Sequence, residues 1–164
     1  MAACLLKAWG ASPIVSSVEI DAAAKQVMKA ENTTVTGLTA GKTVSWTQKD
    51  AALPMPVNLR DPAFSPVLRR SAGTMELALK SSDFMETLNQ QTLRVRGLEG
   101  ARYTLKINGA VVGAYSREEL DKGLNLAELP TPMARQAAGV HALTIKRADV
   151  HRSEERRVGK ECRL

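Results

Sequence analysis

Histidine and cysteine are scarce in this 164-residue chain, which has only two of each. Two cysteines, Cys4 and Cys162, are too few for the disulfide framework of a small secreted scaffold. The sequence has no Cys-x-x-Cys and no His-x-x-x-His pair, so it lacks the ligand spacing of common zinc sites. No apolar run approaches the roughly 20 residues that a membrane-spanning helix needs. These shortages predict a chain without a metal site, a cofactor or a membrane span.

Hydrolytic motifs are missing as well. A serine nucleophile needs a base beside it and donors for the oxyanion, and the Gly-x-Ser-x-Gly turn that often supplies the serine does not occur. His141 falls on a predicted helix, where an ordinary surface or half-buried histidine is the expectation. Glu118 and Glu119 are consecutive, and consecutive helical residues do not face each other. Cys4 lies among apolar residues and is expected to be a small core residue. The sequence therefore assigns no catalytic, cofactor-binding or metal-ligating residue.

Positive charge is in excess, with 23 Lys and Arg against 17 Asp and Glu and a net charge of +6. Residues 152–164 alone hold five bases and three acids, so the rest of the chain has 18 bases and 14 acids, a net +4. The remaining bases are scattered and are not interleaved with aromatic residues. We therefore expect a mildly basic, solvated surface and no nucleic-acid partner.

The last residues differ abruptly from the rest. Residues 152–162 read Arg-Ser-Glu-Glu-Arg-Arg-Val-Gly-Lys-Glu-Cys, in which only Val158 and Cys162 are apolar enough for a core. This run resembles the in-frame translation of a common short-read sequencing adapter. Residues 152–164 are accordingly predicted to be disordered and to lie outside the fold.

The first 12 residues predict a helix. Met1, Leu5 and Trp9 share one stripe, Gly10 can adopt the left-handed conformation that ends a helix, and Pro13 prevents its resumption. No capping residue precedes the first apolar position, which suggests that the helix begins in its middle.

Residues 13–151 are predicted to be rich in strands. From Ile14 the apolar period becomes two, and Thr43–Thr47 alternates with Val44 and Trp46 facing inward. The prolines in 53–56 require extended backbone, and residues 61–71 are expected to form a loop. A further strand is predicted at 74–79, while 22–30 and 83–89 fit either helix or strand.

The clearest stretch predicts a three-stranded antiparallel meander, made of 93–97, 103–107 and 111–115. Asn108-Gly109 between its last two strands is the strongest short hairpin signal, since both residues tolerate a positive φ. Ser116 and Glu119 then have the spacing of a capping box, and Thr131-Pro132 opens a longer helix. Together these elements predict an α+β fold with two helices after the antiparallel strands.

Several segments resemble SGNH (GDSL-type) hydrolases. Residues 1–10 resemble the last helix of the α/β, flavodoxin-like core of that family, which follows the catalytic Asp-x-x-His motif. The remainder resembles the long carboxy-terminal extension of a bacterial subgroup. The matching segments are Tyr103–Gly109, Val112–Gly113, Glu119–Leu120, Gly123–Leu126, Thr131–Met133 and Gln136–Ala137.

The resemblance implies a division into 1–12, the end of a missing core, 13–151, the extension, and the tail 152–164. It implies that the catalytic Ser, Asp and His precede Met1, so that the missing upstream core is this chain's partner. The parent would hydrolyse an acyl ester, with a carbohydrate ester as one expected substrate, and a secreted or periplasmic parent is one expectation.

Two alternatives remain open from the residues alone. A free-standing β-sandwich-like module that binds glycans or another partner would show exposed aromatics, for instance Trp46 beside Tyr115. A small enzyme complete in itself would need a nucleophile and base around His141.

Overall fold

The structure, a computed structural model, describes residues 2–57 and 79–161 and has an α+β fold, as predicted. The helices are α1 (Ala2–Ala8), α2 (Phe84–Leu88), α3 (Arg117–Lys122) and α4 (Pro132–Glu161), with a short 3-10 helix at Leu126–Glu128. The strands are β1 (Ile14–Asp21), β2 (Gln26–Glu31), β3 (Thr33–Thr39), β4 (Ser45–Asp50), β5 (Gln90–Arg96), β6 (Arg102–Ile107), β7 (Ala110–Ser116) and β8 (Leu124–Asn125).

A four-stranded sheet with the order β2-β1-β5-β8 forms the centre of the fold. β1 and β5 run parallel with Val18 opposite Leu93, whereas β2 and β8 are antiparallel to their neighbours. The predicted three-stranded meander is therefore wrong. β5 belongs to this mixed sheet, and β6 and β7 form a separate hairpin, because an alternating pattern gives the inward face of a strand but not its partner.

Two hairpins, β3–β4 and β6–β7, cover one face of this sheet. Each pairs only within itself among the described strands. Their inward side chains pack on a buried cluster from the central sheet and the turns after it. The cluster consists of Val18, Ile20, Leu93, Val95, Leu98, Leu120 and Leu126. Each fully buried aliphatic side chain contributes roughly 1.5–3 kcal/mol, so this layer is the main source of stability.

The segments that fitted either helix or strand are resolved by local contacts. Residues 22–25 form a turn in which the carboxylate of Asp21 accepts the N–H groups of Ala23 and Ala24, and β2 follows. Phe84–Leu88 is helical. Leu79, the last residue of the predicted strand at 74–79, is helical, and 61–71 and 74–78 lie outside the described residues.

The predicted turn and helix signals after β5 are confirmed. Asn108 and Gly109 have φ values of 51° and 77°, as a two-residue hairpin turn requires. Ser116 accepts the N–H of Glu119, whose carboxylate accepts the N–H of Ser116, which completes a capping box. The hydroxyl of Thr131 accepts the N–H of Ala134 at the start of α4.

Two asparagines, the buried Asn89 and the half-buried Asn125, stabilise the edge of the core. The side chain of Asn89 accepts the N–H of Met55 at 2.9 Å and donates to its carbonyl at 3.2 Å, as a neighbouring strand would. The carboxamide oxygen of Asn125 accepts the N–H groups of Gln91 and Ala127, and its nitrogen donates to the carbonyl of Asn89. These bonds hold the extended 53–56 segment, β5 and the 3-10 helix together.

Gly10, which has a φ of 68°, provides the predicted left-handed residue just after helix α1. The N–H of Ala11 bonds to the carbonyl of Leu6 and that of Gly10 to Lys7, the pattern of a Schellman cap. Trp9 is 76% exposed and Leu5 53% exposed, so part of the apolar stripe lies in solvent. Cys4 is exposed too, and its predicted place in the core is wrong because the stripe has little to pack on among the described residues.

Residues 152–161, part of the segment predicted to be disordered, continue α4 to Glu161. Glu, Arg and Lys favour helix even without a core contact, and no proline interrupts the run. Between residues 138 and 152 few side chains are covered, and Leu143 is 69% exposed. Helix α4 therefore continues over residues 138–152 with little tertiary packing of its side chains. Among the described residues, no helix is long and apolar enough to cross a membrane.

Candidate ligand-binding cleft

An apolar cleft of about 680 Å³ lies between the two hairpins, above β5. Its floor is formed by Leu93, Val95 and Leu98 of the core. The inward side chain of Trp46 on β4 lies at one wall, and residues 102–106 of β6 lie at the other. A volume of this size is within the range of small-molecule sites, which run to roughly 300–1,000 Å³.

A second cavity of about 410 Å³ extends the cleft towards α4. It shares Trp46, Leu93, Leu105 and Lys106 with the first, so the two form one elongated groove, which we call the hairpin cleft. Its far end is more polar and includes Gln48, Asp50, Asn108 and Gln136. The hairpin cleft therefore offers an apolar middle and polar surroundings.

The indole of Trp46 is held by a chain of side-chain hydrogen bonds. Its Nε1 donates to Oε1 of Gln48 at 3.1 Å, and Nε2 of Gln48 donates to Asp50 at 2.7 Å. The other oxygen of Asp50 accepts from Nε2 of the buried Gln91 at 2.8 Å. Because each of these side chains is hydrogen bonded to the next, the orientation of the indole is fixed without a ligand.

Two buried polar atoms near these hydrogen-bonded side chains lack a protein partner in the described part of the structure. They are Oε1 of Gln91 and the hydroxyl of Ser16, both fully buried. Ser16 pairs with Gln91 in the β1–β5 register, so the two atoms belong to neighbouring side chains. A buried polar atom without a partner costs about 1–3 kcal/mol, so Gln91 is held in place mainly by its bond to Asp50.

Tyr103 forms part of the β6 wall. Its hydroxyl accepts the N–H of Gly100 at 2.6 Å, which ties the phenol ring to the loop before β6. Residues 102–108 line the hairpin cleft consecutively, and β6 pairs with β7 on its other side. No other described strand pairs with the opposite edge of β6, so its backbone N–H groups can donate to a ligand in the cleft.

The charged residues around the cleft are mostly cationic. Lys42, Arg102 and Lys106 line it, and Glu99 is the single acid of its larger cavity. Across residues 2–57 and 79–161, none of these four side chains forms an ion pair. An apolar groove with unpaired cations favours a ligand that carries an apolar body and a negative group.

The positions considered for catalysis do not converge on this cleft. His141 is half-buried on α4, and Glu119 is engaged in the cap of α3. Within the described ranges, no three His, Cys, Asp or Glu side chains are placed to hold a metal ion.

Trp46 was the aromatic residue whose exposure would favour a glycan-binding surface. It is half-buried and packs on the core, as the alternation of Val44 and Trp46 predicted. Tyr115 is half-buried as well, and its ring lies against Gly113, where an added Cβ would be 2.7 Å from the hydroxyl. The sequence contained the inward signal for Trp46 but no signal that this inward face borders an open cleft.

No family model matches the chain, and no curated protein matches it. Among solved structures, the chain is similar to BT4096, described as a gut microbial diltiazem-metabolizing enzyme. The sequence identity is 32% and the TM-score is 0.76 over 90% of this chain. The chain spans 33% of the length of that enzyme, about a third.

Proposed function

We propose that this chain is an accessory portion of a serine ester hydrolase of the SGNH type, and that the catalytic residues are supplied by another part of the same protein. The observation that carries the proposal is the 32% identity over 90% of the chain to about a third of a larger enzyme. The assignment to the SGNH class rests on the segments that resemble the carboxy-terminal extension of that family.

The chemistry of the neighbour's compound is compatible with this proposal. Diltiazem carries an acetate ester, a bond that a serine hydrolase cleaves by forming and then hydrolysing an acyl-enzyme. That compound is named for the neighbour; for this chain we propose the broader class of acyl esters, including acylated carbohydrates. The role proposed for the chain is to support the catalytic core and shape the entrance to it.

The exposed stripe of α1 supports the accessory role. Leu5 and Trp9 leave large apolar surfaces in solvent, and each would gain roughly 1.5–3 kcal/mol from full burial. A catalytic core packed on α1 would provide that burial. Substituting Trp9→Glu should then weaken the association of the chain with such a core while leaving the separate chain folded.

A chimera tests the proposal. The aligned third of the diltiazem-metabolizing enzyme is replaced by this chain, and turnover of 4-nitrophenyl acetate and of diltiazem is measured. We expect hydrolysis by the chimera, none by the purified chain, and loss of activity in the chimera with Trp9→Glu. The matched control is Val111→Glu, which adds the same charge at an exposed apolar residue on β7.

Two results would contradict the proposal. A folded chimera without activity would show that the chain cannot replace that part of the enzyme. Ester hydrolysis by the purified chain that is lost in His141→Ala would instead establish the alternative of a small self-contained enzyme.

A glycan-binding module remains the second candidate. Trp46 and Tyr103 both line the hairpin cleft, and sugars stack on aromatic rings of this kind. Binding of a neutral oligosaccharide with Trp46 as the reporter would favour it over the accessory role.

A further inference from the structure

We propose that the hairpin cleft binds a small anionic amphiphile, namely a medium-chain aliphatic carboxylate, with its chain against Trp46 and its carboxylate at Lys106. The proposal concerns this chain alone and does not depend on the ester hydrolase assignment. It rests on the shape of the cleft, its apolar lining and the sign of its charges.

The elongated shape fits a chain-like ligand. Two adjoining cavities of about 680 and 410 Å³ share Trp46, Leu93 and Leu105 in their linings, so apolar side chains border both. A straight alkyl chain can lie along this floor and displace water from it. A compact polar molecule would leave most of the floor uncovered.

The position of the carboxylate follows from the charges. Lys106 lines both cavities and lies at their junction, while Lys42 and Arg102 line the larger one. Asp50 already accepts hydrogen bonds from Gln48 and Gln91, so its charge is engaged at the opposite wall. A carboxylate beside Lys106 also comes within reach of N–H groups on the unpaired edge of β6, which strengthens its binding.

Tryptophan fluorescence provides the readout. The chain has two tryptophans, and Trp9 is far more exposed than Trp46. In a Trp9→Phe background, Trp46 is the single reporter and lies in the proposed site. Octanoate and decanoate are titrated below their micelle-forming concentrations, and decanol serves as the uncharged match of decanoate.

The expected result has three parts. Both carboxylates should saturate and shift Trp46 emission, with decanoate binding about ten-fold or more tightly than octanoate, because each methylene contributes about 0.8 kcal/mol. Decanol should bind several-fold more weakly than decanoate. Lys106→Gln should weaken decanoate binding about three- to ten-fold, in line with one partly exposed charge contact, and leave decanol unchanged.

Lys49→Gln is the matched control. Lys49 is an exposed residue of β4 that does not line the cleft, so this change removes the same charge from the same layer. Decanoate affinity should stay within two-fold in this variant. Circular dichroism of both variants establishes that the fold is retained, which is expected because both side chains are exposed.

Several outcomes would overturn the proposal. Equal affinity for decanol and decanoate, or equal effects of Lys106→Gln and Lys49→Gln, would mean that the cations do not select the ligand. No saturable signal with either carboxylate would mean that the cleft does not take an alkyl chain. Saturable binding of cellobiose or chitobiose without carboxylate binding would mean that the cleft binds glycans instead.

Discussion

Glycine-to-alanine changes at three positions distinguish the free-energy cost of a left-handed backbone from that of a steric clash. Gly41 has no positive φ and open space where a Cβ would be added. Gly109 has the same open space but a φ of 77°. Gly97 has a φ of 70°, and an added Cβ would be 2.8 Å from the backbone nitrogen and Cβ of Ala23. Alanine at each position therefore adds one effect at a time.

The magnitudes follow from these differences. Every glycine-to-alanine change restricts the unfolded chain and stabilises the protein by about 0.4–1 kcal/mol. This contribution cancels between variants, so Gly109→Ala should be less stable than Gly41→Ala by about 1–2 kcal/mol, the strain of a left-handed L-residue. Gly97→Ala should lose about 1–3 kcal/mol more, because Ala23 lies in a turn fixed by Asp21 and cannot retreat freely.

Thermal unfolding followed by circular dichroism measures the series. For a chain of this size, 1 kcal/mol corresponds to about 2–4 °C in Tm, so the three variants should be separated by several degrees in the order Gly41→Ala, Gly109→Ala, Gly97→Ala. Equal Tm values for the first two would refute the left-handed turn between β6 and β7. A mild effect at Gly97 would refute its close approach to the β1–β2 turn.

Three further predictions concern other contacts. Asn89→Ala should destabilise the protein by about 2–4 kcal/mol in urea unfolding, because it leaves the N–H and C=O of Met55 without their side-chain partner. A loss of stability below about 0.5 kcal/mol would contradict the role of these two hydrogen bonds. Lys7 donates a hydrogen bond to Asp83 and lowers the pKa of that carboxyl. The pair therefore stabilises the fold at pH values above the ordinary carboxyl pKa, and this stabilisation is lost as the pH falls through the lowered pKa of Asp83. Lys7→Gln should move the pKa of Asp83 back up in a carboxyl NMR titration, and an unchanged titration would contradict the pairing. Amides at Leu5–Ala8 should exchange much faster than those of β5, because a seven-residue helix with an exposed apolar face opens easily, and strong protection in a monomer would show a packing partner within this chain.

Short-range features of this fold could be predicted from the sequence because each depends on neighbouring residues. The capping box of Ser116 and Glu119, the Asn108-Gly109 turn and the Gly10 cap all lie within a few positions and have one dominant physical explanation. The inward side of β4 followed from its alternation. These features fix where strands and helices begin and end, but not which strands pair.

Long-range features could not be predicted. β1 pairs in parallel with β5, although Val18 and Leu93 are 75 positions apart. The apolar alternation of a strand is the same whether its neighbouring strand is parallel or antiparallel. The sequence therefore favours the local antiparallel meander over the long-range parallel pairing that the structure shows. The hairpin cleft is a consequence of that pairing, because β6 would have joined β5 in a meander and left no gap between the hairpins.

The cleft and the proposed hydrolase role are independent and can fail separately. An inactive chimera would remove the accessory role but would leave decanoate binding to the isolated chain unaffected, since every residue of the hairpin cleft belongs to this chain. Conversely, an active chimera in which Lys106→Gln changes neither kcat nor KM would place the cleft outside the catalytic cycle. If Lys106→Gln raises KM for an anionic ester but not for its neutral match, the cleft takes part in substrate capture, because one charge contact then acts on binding and not on the chemical step.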